Sequence, residues 1–231
     1  MKNLETGAKP LIAATLHLEN ELNILPALAA ERIIDAVEFR ADSFFTGDME
    51  ELRQILTALN KIGLPVILTF RKDEVPSLSE TQRLEIILEL LPHACAVDIE
   101  FDSEITGIVI ENSKTLSKTV IISEHDFEKT PLEKDLNSIF EKGIKKGADI
   151  VKIAVMPNAP PDAAELMGFC LKSSKKHPVI CISMGEIGRF TRFYAPFFGS
   201  RITYGFISEP IAPGQTDVRE LRKEIGRFFK G

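Results

Sequence analysis

Lys152 is the residue of this sequence with the clearest chemical potential, because it interrupts the apolar run Ala148–Met156. A run so rich in Val and Ile is typical of a strand that is buried on both faces. Desolvation disfavours the ammonium form of lysine, so the amine can be neutral and can form a Schiff base with a carbonyl. Two alternatives remain open: an ion pair with a buried carboxylate, or a strand-end lysine whose tip reaches solvent.

Further polar side chains stand at or just after the ends of other apolar runs, among them Glu38, Arg40, Arg71, Glu100, His125 and Arg192. Iminium chemistry needs a proton shuttle that titrates near neutrality, and His125 is the candidate. The three or four arginines exceed what nearby carboxylates need as partners. This surplus indicates an anionic, carboxylated and hydroxyl-rich small-molecule substrate.

Eight apolar runs predict the strands that position these side chains. They are Leu11–Leu16, Ala36–Arg40, Pro65–Phe70, Ala96–Phe101, Thr119–Ser123, Ile150–Val155, Val179–Ser183 and Arg201–Phe206. The segments between them predict helices, which include Asp48–Lys61, a helix that begins at the capping box Ser79–Gln82, Pro131–Lys146, Pro160–Lys176 and Asp217–Phe229.

Strands that alternate with helices over an undivided chain predict a single (β/α)8 domain, a TIM barrel, over residues 1–231. The alternative is a doubly wound open sheet, and the absence of GxGxxG after the first strand argues against it. In a barrel, catalytic residues come from the C-terminal ends of the strands and the loops that follow. The polar residues named above therefore have one shared location.

Composition excludes several classes of function. The net charge is -6, and no basic stripe with interleaved aromatic residues suggests nucleic acid. Apolar runs are too short to span a membrane, and Met1–Glu5 lack the apolar core of a signal peptide. Cys95, Cys170 and Cys181 form no CxxC pair, which indicates reduced thiols in a cytoplasmic protein. The four separated histidines predict no metal site, and we expect no cofactor, because the iminium would replace one.

The motifs at the strand ends are specific as a set. In chain order they are Glu38–Asp42 (EFRAD), Thr69–Arg71 (TFR), Val97–Glu100 (VDIE), Ser123–Phe127 (SEHDF), Val151–Ala154 (VKIA), Ser183–Gly185 (SMG) and Ala212–Gln215 (APGQ). Together they resemble type I 3-dehydroquinate dehydratase over almost the whole chain. The resemblance implies a lyase of the shikimate pathway, commonly dimeric, that removes water from 3-dehydroquinate by syn elimination.

The resemblance also implies roles for individual residues. Lys152 would form the Schiff base, His125 would move protons, and Glu100 would orient one of these two. Arg192 would bind the substrate carboxylate. The remaining implied substrate-binding residues are Glu38, Arg40, Arg71, Gln215 on a closing loop, and the apolar wall residues Met184 and Tyr204.

Three positions depart from the family pattern. Glu74 comes one residue earlier than the family's glutamate after Arg71, so we exclude it from the predicted site. Ile211 replaces a serine before Ala-Pro-Gly-Gln and removes a hydroxyl from the closing loop. Glu124 replaces a neutral residue, and strand alternation predicts that it faces away from His125.

Two other functions fit part of the pattern. A class I aldolase or transaldolase also uses a strand lysine in this fold, but no glycine-rich phosphate loop follows the last two strands apart from Gly185 and Gly188. A non-catalytic barrel that binds a shikimate-like metabolite would need neither Lys152 nor His125.

Overall fold

Within the part of the chain that the structure describes, nine parallel strands form one sheet. The structure is a computed structural model and describes residue 4 and residues 9–229. The strands are β1 Leu11–Leu16, β2 Ala36–Arg40, β3 Val66–Thr69, β4 Ala96–Glu100, β5 Thr119–Asp126, β6 Ile150–Val155, β7 Val179–Ser183, β8 Ile202–Phe206 and β9 Thr216–Asp217.

Helices follow the strands and cover the outer face of the sheet. They are α1 Leu25–Ala30, α2 Ala41–Phe44, α3 Met49–Ile62, α4 Glu80–Leu90, α5 Thr106–Thr115, α6 Glu133–Lys146, α7 Pro160–Ser173, α8 Gly185–Gly188, α9 Thr191–Tyr194 and α10 Val218–Gly226. Short 3-10 helices span Glu19–Asn23, Leu91–His93 and Ala195–Phe198.

The sheet curls until its two ends meet. Its strand order is β7-β6-β5-β4-β3-β2-β1-β8-β9. At the junction of β7 with the residues before β8, which we call the β7–β8 seam, Val179 and Ser200 form a parallel bridge. The Arg201 amide donates to the Val179 carbonyl at 2.9 Å, and the Cys181 amide donates to Ser200 Oγ at 3.2 Å. The predicted (β/α)8 fold class is therefore confirmed.

Two apolar layers stabilise this architecture. The inner layer fills the barrel with alternate strand residues such as Ala13, Ile67, Ile121, Ile180 and Ile202. The outer layer packs the opposite strand faces against the helices. Because side chains alternate along each strand, a polar residue in an inward position points into the barrel.

The predicted element bounds agree with the structure except at several ends. β5 continues from the predicted end at Ser123 to Asp126, because it pairs with β6 up to the Asp126–Val155 register. Pro131 lies outside α6, whose N-cap is the extended residue Leu132. The capping box that joins Ser79 and Gln82 is present at the start of α4. Of the segments used for sequence predictions, residues 1–3, 5–8 and 230–231 lie outside the described residues.

Candidate active site

The C-terminal ends of the strands and the loops after them surround a cavity of about 240 Å³. All ten residues that the sequence assigned to catalysis or substrate binding line it. The lining residues are Thr15, Glu38, Arg40, Arg71, Asp73, Glu74, Glu100, His125, Phe127, Lys152, Ala154, Ile182, Met184, Arg192, Tyr204, Ile211, Ala212 and Gln215.

Lys152 points into the barrel from β6 and is 5 % exposed. Its Nζ donates to Asp98 Oδ2 at 2.8 Å and lies 3.7 Å from Glu38 Oε1. The same nitrogen lies 4.3 Å from the centroid of the Tyr204 ring, a favourable position for a cation. Lys152 therefore forms an ion pair with a buried carboxylate, and its tip does not reach solvent; this ion pair is compatible with Schiff-base chemistry once the amine loses its proton.

Asp98, on β4, is the partner that sequence reasoning missed. It accepts hydrogen bonds from Lys152, from Arg71 Nη2 at 2.8 Å and from Ser123 Oγ at 2.6 Å. Burial alone would raise the pKa of Asp98, but the charges of Arg71 and Lys152 outweigh burial and lower it well below its usual range. Asp98 is therefore an anion that cannot readily take the Lys152 proton.

Glu38 is held in place by two threonine hydroxyls. Thr15 Oγ1 donates to Glu38 Oε2 at 3.0 Å, and Thr69 Oγ1 donates to Oε1 at 3.2 Å. The threonines come from β1 and β3, the strands that flank Glu38 on β2. The carboxylate is thus fixed on the cavity wall beside Lys152.

His125 lies near the C-terminal end of β5, which pairs with the strand that carries Lys152. Burial, followed by the positive charges of Arg71 and Lys152, lowers the pKa of His125 well below its ordinary value, and Asp98 opposes this shift only in part. The imidazole is therefore neutral near pH 7 and can accept a proton. Glu124 does not line the cavity, as strand alternation predicted.

Glu100 contacts arginines and not the residues it was predicted to orient. Arg71 Nη1 lies 3.4 Å from Glu100 Oε1, and Arg83 forms an ion pair with Oε2. On β4, Lys152 instead contacts Asp98, which lies two residues before Glu100 on the same inward face. A buried aspartate in an apolar strand is the same anomaly that selected Lys152, and it could have identified Asp98.

Arg40 is paired more completely than the sequence suggested. Its guanidinium donates to both carboxylate oxygens of Asp42, at 3.1 and 2.7 Å, and to Glu74 Oε1 at 3.2 Å. Glu74, which we excluded, therefore lies at the cavity. Because Arg71 is also paired with carboxylates, the predicted surplus of several unpaired arginines is wrong.

Arg192, on α9, is the cavity arginine whose described hydrogen bonds all go to main-chain carbonyls. Its Nε donates to Gly214 O at 2.8 Å, Nη2 to Pro213 O at 3.2 Å and Nη1 to Tyr204 O at 3.4 Å. Burial lowers the pKa of Arg192 to about 10, opposed by the charge of Glu38. A buried cation held only by carbonyls suits a ligand carboxylate.

Two glycines allow this arrangement. Gly214 has φ +67°, and a Cβ on it would lie 2.3 Å from the Gly185 carbonyl oxygen. The loops after β7 and β8 can therefore touch, with the Gly185 amide donating to Pro213 O at 3.1 Å. This contact places the carbonyls of Pro213 and Gly214 over Arg192.

Gln215 ties the loop after β8 to the barrel. The Ile211 amide donates to Gln215 Oε1 at 2.9 Å, and Gln215 Nε2 donates to Thr15 Oγ1 at 3.1 Å. Met184, Tyr204 and Ile211 supply the apolar wall around the polar groups.

Elsewhere in the molecule, the three cysteines are free and buried, as predicted.

Comparisons with known proteins agree with this geometry. The family model described as "Type I 3-dehydroquinase" matches residues 12–226. The 3-dehydroquinate dehydratase of Methanococcoides burtonii is 36% identical over 203 residues, which cover 85% of this chain and 86% of the relative.

Solved structures are similar over nearly the full chain. The 3-dehydroquinate dehydratase of Aquifex aeolicus has a TM-score of 0.83 and 31% identity, with 96% of this chain and 100% of the other covered. The type I 3-dehydroquinate dehydratase of Clostridium difficile, described with covalently modified comenic acid, has a TM-score of 0.86 and 25% identity, with 97% and 94% covered.

Proposed function

The chain belongs to the type I 3-dehydroquinase family, and on that premise we propose that it is a 3-dehydroquinate dehydratase, a hydro-lyase that converts 3-dehydroquinate to 3-dehydroshikimate. The observation that carries the proposal is the buried Lys152 bound to Asp98, with a neutral His125 on the next strand and the carbonyl-held Arg192 in the same cavity. Together these groups provide a nucleophile, a proton shuttle and a carboxylate site.

The first step is formation of the Schiff base. Arg192 binds the substrate carboxylate and so directs the ring ketone towards Lys152. The ammonium must lose a proton before it attacks, and neutral His125 is a better acceptor than Asp98, whose pKa is held low after the charges of Arg71 and Lys152 overcome burial. The amine adds to the ketone carbon, His125 returns the proton to the hydroxyl of the adduct, and that hydroxyl leaves as water to give an iminium.

The iminium then makes elimination possible. Neutral His125 takes a proton from the carbon beside the iminium, and the electrons of that C–H bond move towards the nitrogen. The hydroxyl on the next carbon leaves as water when His125 supplies a proton, and a single acid and base on one face gives syn elimination. Water finally hydrolyses the conjugated iminium and frees Lys152. One water is consumed for the one released on imine formation, so the net loss is one water.

Other cavity residues orient the substrate. Hydrogen-bonding groups for the substrate hydroxyls come from four lining residues: Glu38, Arg40, Arg71 and Gln215. Met184 packs against the substrate ring. Asp98 takes the role of holding Lys152, while Glu100 acts on Arg71. Sequence reasoning gave this orienting role to Glu100 alone.

The wider setting follows from the family. We place the enzyme in the shikimate pathway of aromatic amino-acid biosynthesis, as a cytoplasmic homodimer that needs no cofactor. Across residue 4 and residues 9–229, none of the helices is long and apolar enough to cross a membrane. Light scattering of the purified protein tests the dimer, and a monomeric mass would refute it.

Borohydride trapping tests the chemistry. The protein is incubated with 3-dehydroquinate and borohydride, and peptide masses and the absorbance of the enone product are measured. We expect a reduced adduct on Lys152 in the parent and in the exposed-site control Lys145→Ala, and none in Lys152→Ala. An adduct without enone would indicate another Schiff-base enzyme, such as an aldolase. Absence of both would refute the proposal.

A further inference from the structure

Arg83 lies on α4, outside the cavity, and is the largest fully buried side chain of the described residues, at 2 % exposed. Burial of a charged group is costly unless partners compensate for the lost water. The partners of Arg83 therefore indicate what its burial achieves.

The guanidinium of Arg83 has a partner for each nitrogen. Nε and Nη2 donate to the Phe70 carbonyl at 2.9 and 2.7 Å. Nη2 also forms an ion pair with Glu100, and Nη1 donates to Ser103 Oγ at 3.2 Å and to Glu80 Oε2 at 3.3 Å. A planar group with this many contacts is fixed in orientation.

Glu100 continues the connection inward. Its other oxygen lies 3.4 Å from Arg71 Nη1, and Arg71 Nη2 donates to Asp98 Oδ1 at 2.8 Å. The second oxygen of Asp98 binds Lys152 Nζ at 2.8 Å. Charges thus alternate without interruption from Arg83 on the helix layer to Lys152 inside the barrel.

Arg83 also fixes Arg71 through the main chain. The Phe70 carbonyl that it binds belongs to the peptide unit that leads into Arg71. Arg83 therefore fixes the main chain from which the Arg71 side chain extends. Through Glu100, it also fixes the position of the Arg71 guanidinium.

We propose that Arg83 is a positioning residue for the reaction: it keeps Arg71 bound to Asp98 and so sets how tightly Asp98 holds the Lys152 ammonium. The inference rests on the proposed function of Lys152. Arg83 itself does not line the cavity, so it acts only through other residues.

Loss of the Arg83 charge has a definite direction of effect. Glu100 would lose its ion pair with Arg83 and would draw its other arginine partner, Arg71, away from Asp98. Asp98 would then form an ion pair with Lys152 alone, and the Lys152 ammonium would release its proton less readily. The other groups that face Lys152 are Glu38 on β2, Tyr204 on β8 and His125 on β5, and none of them has a described contact with Arg83.

The test compares Arg83→Met, which removes the charge, with Arg83→Lys, which keeps it. In Arg83→Met we expect the acid limb of the pH profile of kcat/KM to move to a higher pH, by about 0.5–1 pH unit. In Arg83→Lys we expect the limb to stay near its parental position. A lower melting temperature with an unmoved acid limb in Arg83→Met would show that Arg83 only docks α4, and would overturn the inference.

A double-mutant cycle tests the route through Glu100. In the Glu100→Gln background the uncompensated carboxylate is gone, so Arg83→Met should shift the limb much less than in the parent. An equal shift in both backgrounds would refute the route. This pair also removes the unpaired charge that could prevent folding of Arg83→Met. If Arg83→Met does not fold, Arg83→Gln, which also lacks the charge but keeps a hydrogen-bond donor, takes its place in both backgrounds.

A substrate-free measurement separates this inference from the proposed function. Competitive acetylation of Lys152, read by peptide mass between about pH 6 and pH 10, follows deprotonation of the amine directly. We expect its midpoint to rise in Arg83→Met. An unmoved midpoint overturns the role of Arg83 even if Lys152 is trapped by borohydride. A raised midpoint with neither a trapped adduct nor enone product upholds the contact and refutes the dehydratase.

Discussion

Asp98 and Lys152 face each other across the inside of the barrel, with Oδ2 and Nζ 2.8 Å apart, although 54 residues separate them in the chain. Asp98 divides its two oxygens between Lys152 and Arg71. One carboxylate thus neutralises both Lys152, the proposed nucleophile, and an arginine of the same cavity, so the properties of both cations depend on it.

Asp98→Asn should therefore affect activity and stability together. The substitution leaves Lys152 and Arg71 without their shared anion, and breaking a buried ion pair costs about 3–5 kcal/mol. We expect the free energy of unfolding, measured in urea, to fall by an amount in this range, and kcat/KM to fall at least ~100-fold. Asp102→Asn is the matched control, because Asp102 is exposed. Parental activity in Asp98→Asn would contradict the assignment.

His125→Gln should slow the proton transfers while leaving Lys152 able to react. General acid–base catalysis contributes about 10²–10⁴-fold, so we expect kcat to fall within that range. If hydrolysis of the imine slows most, the covalent intermediate accumulates and appears in intact-mass spectra without borohydride. A kcat near that of the parent would be incompatible with the shuttle role.

The lowered pKa of His125, caused first by burial and then by Arg71 and Lys152, also affects folding. The unfolded chain binds this proton before the folded protein does, so stability falls as the pH drops below about 6.5, by at most ~1.4 kcal/mol per pH unit. We expect His125→Gln to lose less stability than the parent between about pH 7 and pH 5 in urea unfolding. His93→Gln, at an exposed histidine, should behave like the parent. Equal losses in all three proteins would exclude the effect.

Arg192→Gln should act mainly on substrate binding. Hydrogen bonds to charged groups contribute about 1.5–3 kcal/mol, which corresponds to a rise in KM of ~10–150-fold. Arg189→Gln removes a neighbouring arginine that is 44% exposed and should leave KM unchanged. Steady-state kinetics separates the two parameters, and a fall in kcat with KM unaltered would argue against a carboxylate site.

Gly214→Ala should disturb the same site through the main chain. The new Cβ would meet the Gly185 carbonyl at 2.3 Å on a residue with φ +67°, so the loop must move away from Arg192. We expect a higher KM and a lower melting temperature. Gly168→Ala provides the control: it lies in α7 with no atom within 4 Å of its Cβ, so alanine there should stabilise the helix slightly. Parental kinetics in Gly214→Ala would indicate that the loop contact has no role.

Much of the fold and of the site could be predicted from the sequence because both depend on local patterns. Apolar runs at regular spacing gave the eight barrel strands, and the rule that function lies at strand ends gathered Lys152, His125 and Arg192 in one place. The short ninth strand, Thr216–Asp217, has too few residues for a periodic pattern.

The pairing of charges could not be predicted, because it depends on register and on contacts between distant elements. Nothing in the sequence states that Arg71 reaches Asp98 or that Arg40 is occupied by Asp42 and Glu74. The surplus of arginines was therefore overestimated. Arg83, on a helix outside the barrel, could not be linked to the site before its contacts with Phe70 and Glu100 were known.

The β7–β8 seam has a consequence for hydrogen exchange. Few main-chain hydrogen bonds join the barrel there, so its amides should be among the first of the sheet to open. Arg192 lies in the connection that spans this seam, and a bound carboxylate would tie that connection to the loop after β8. Saturation with product, which carries the same carboxylate, should therefore slow deuterium uptake at the amides of Cys181 and Arg201, because the bound ligand would help to hold the barrel closed.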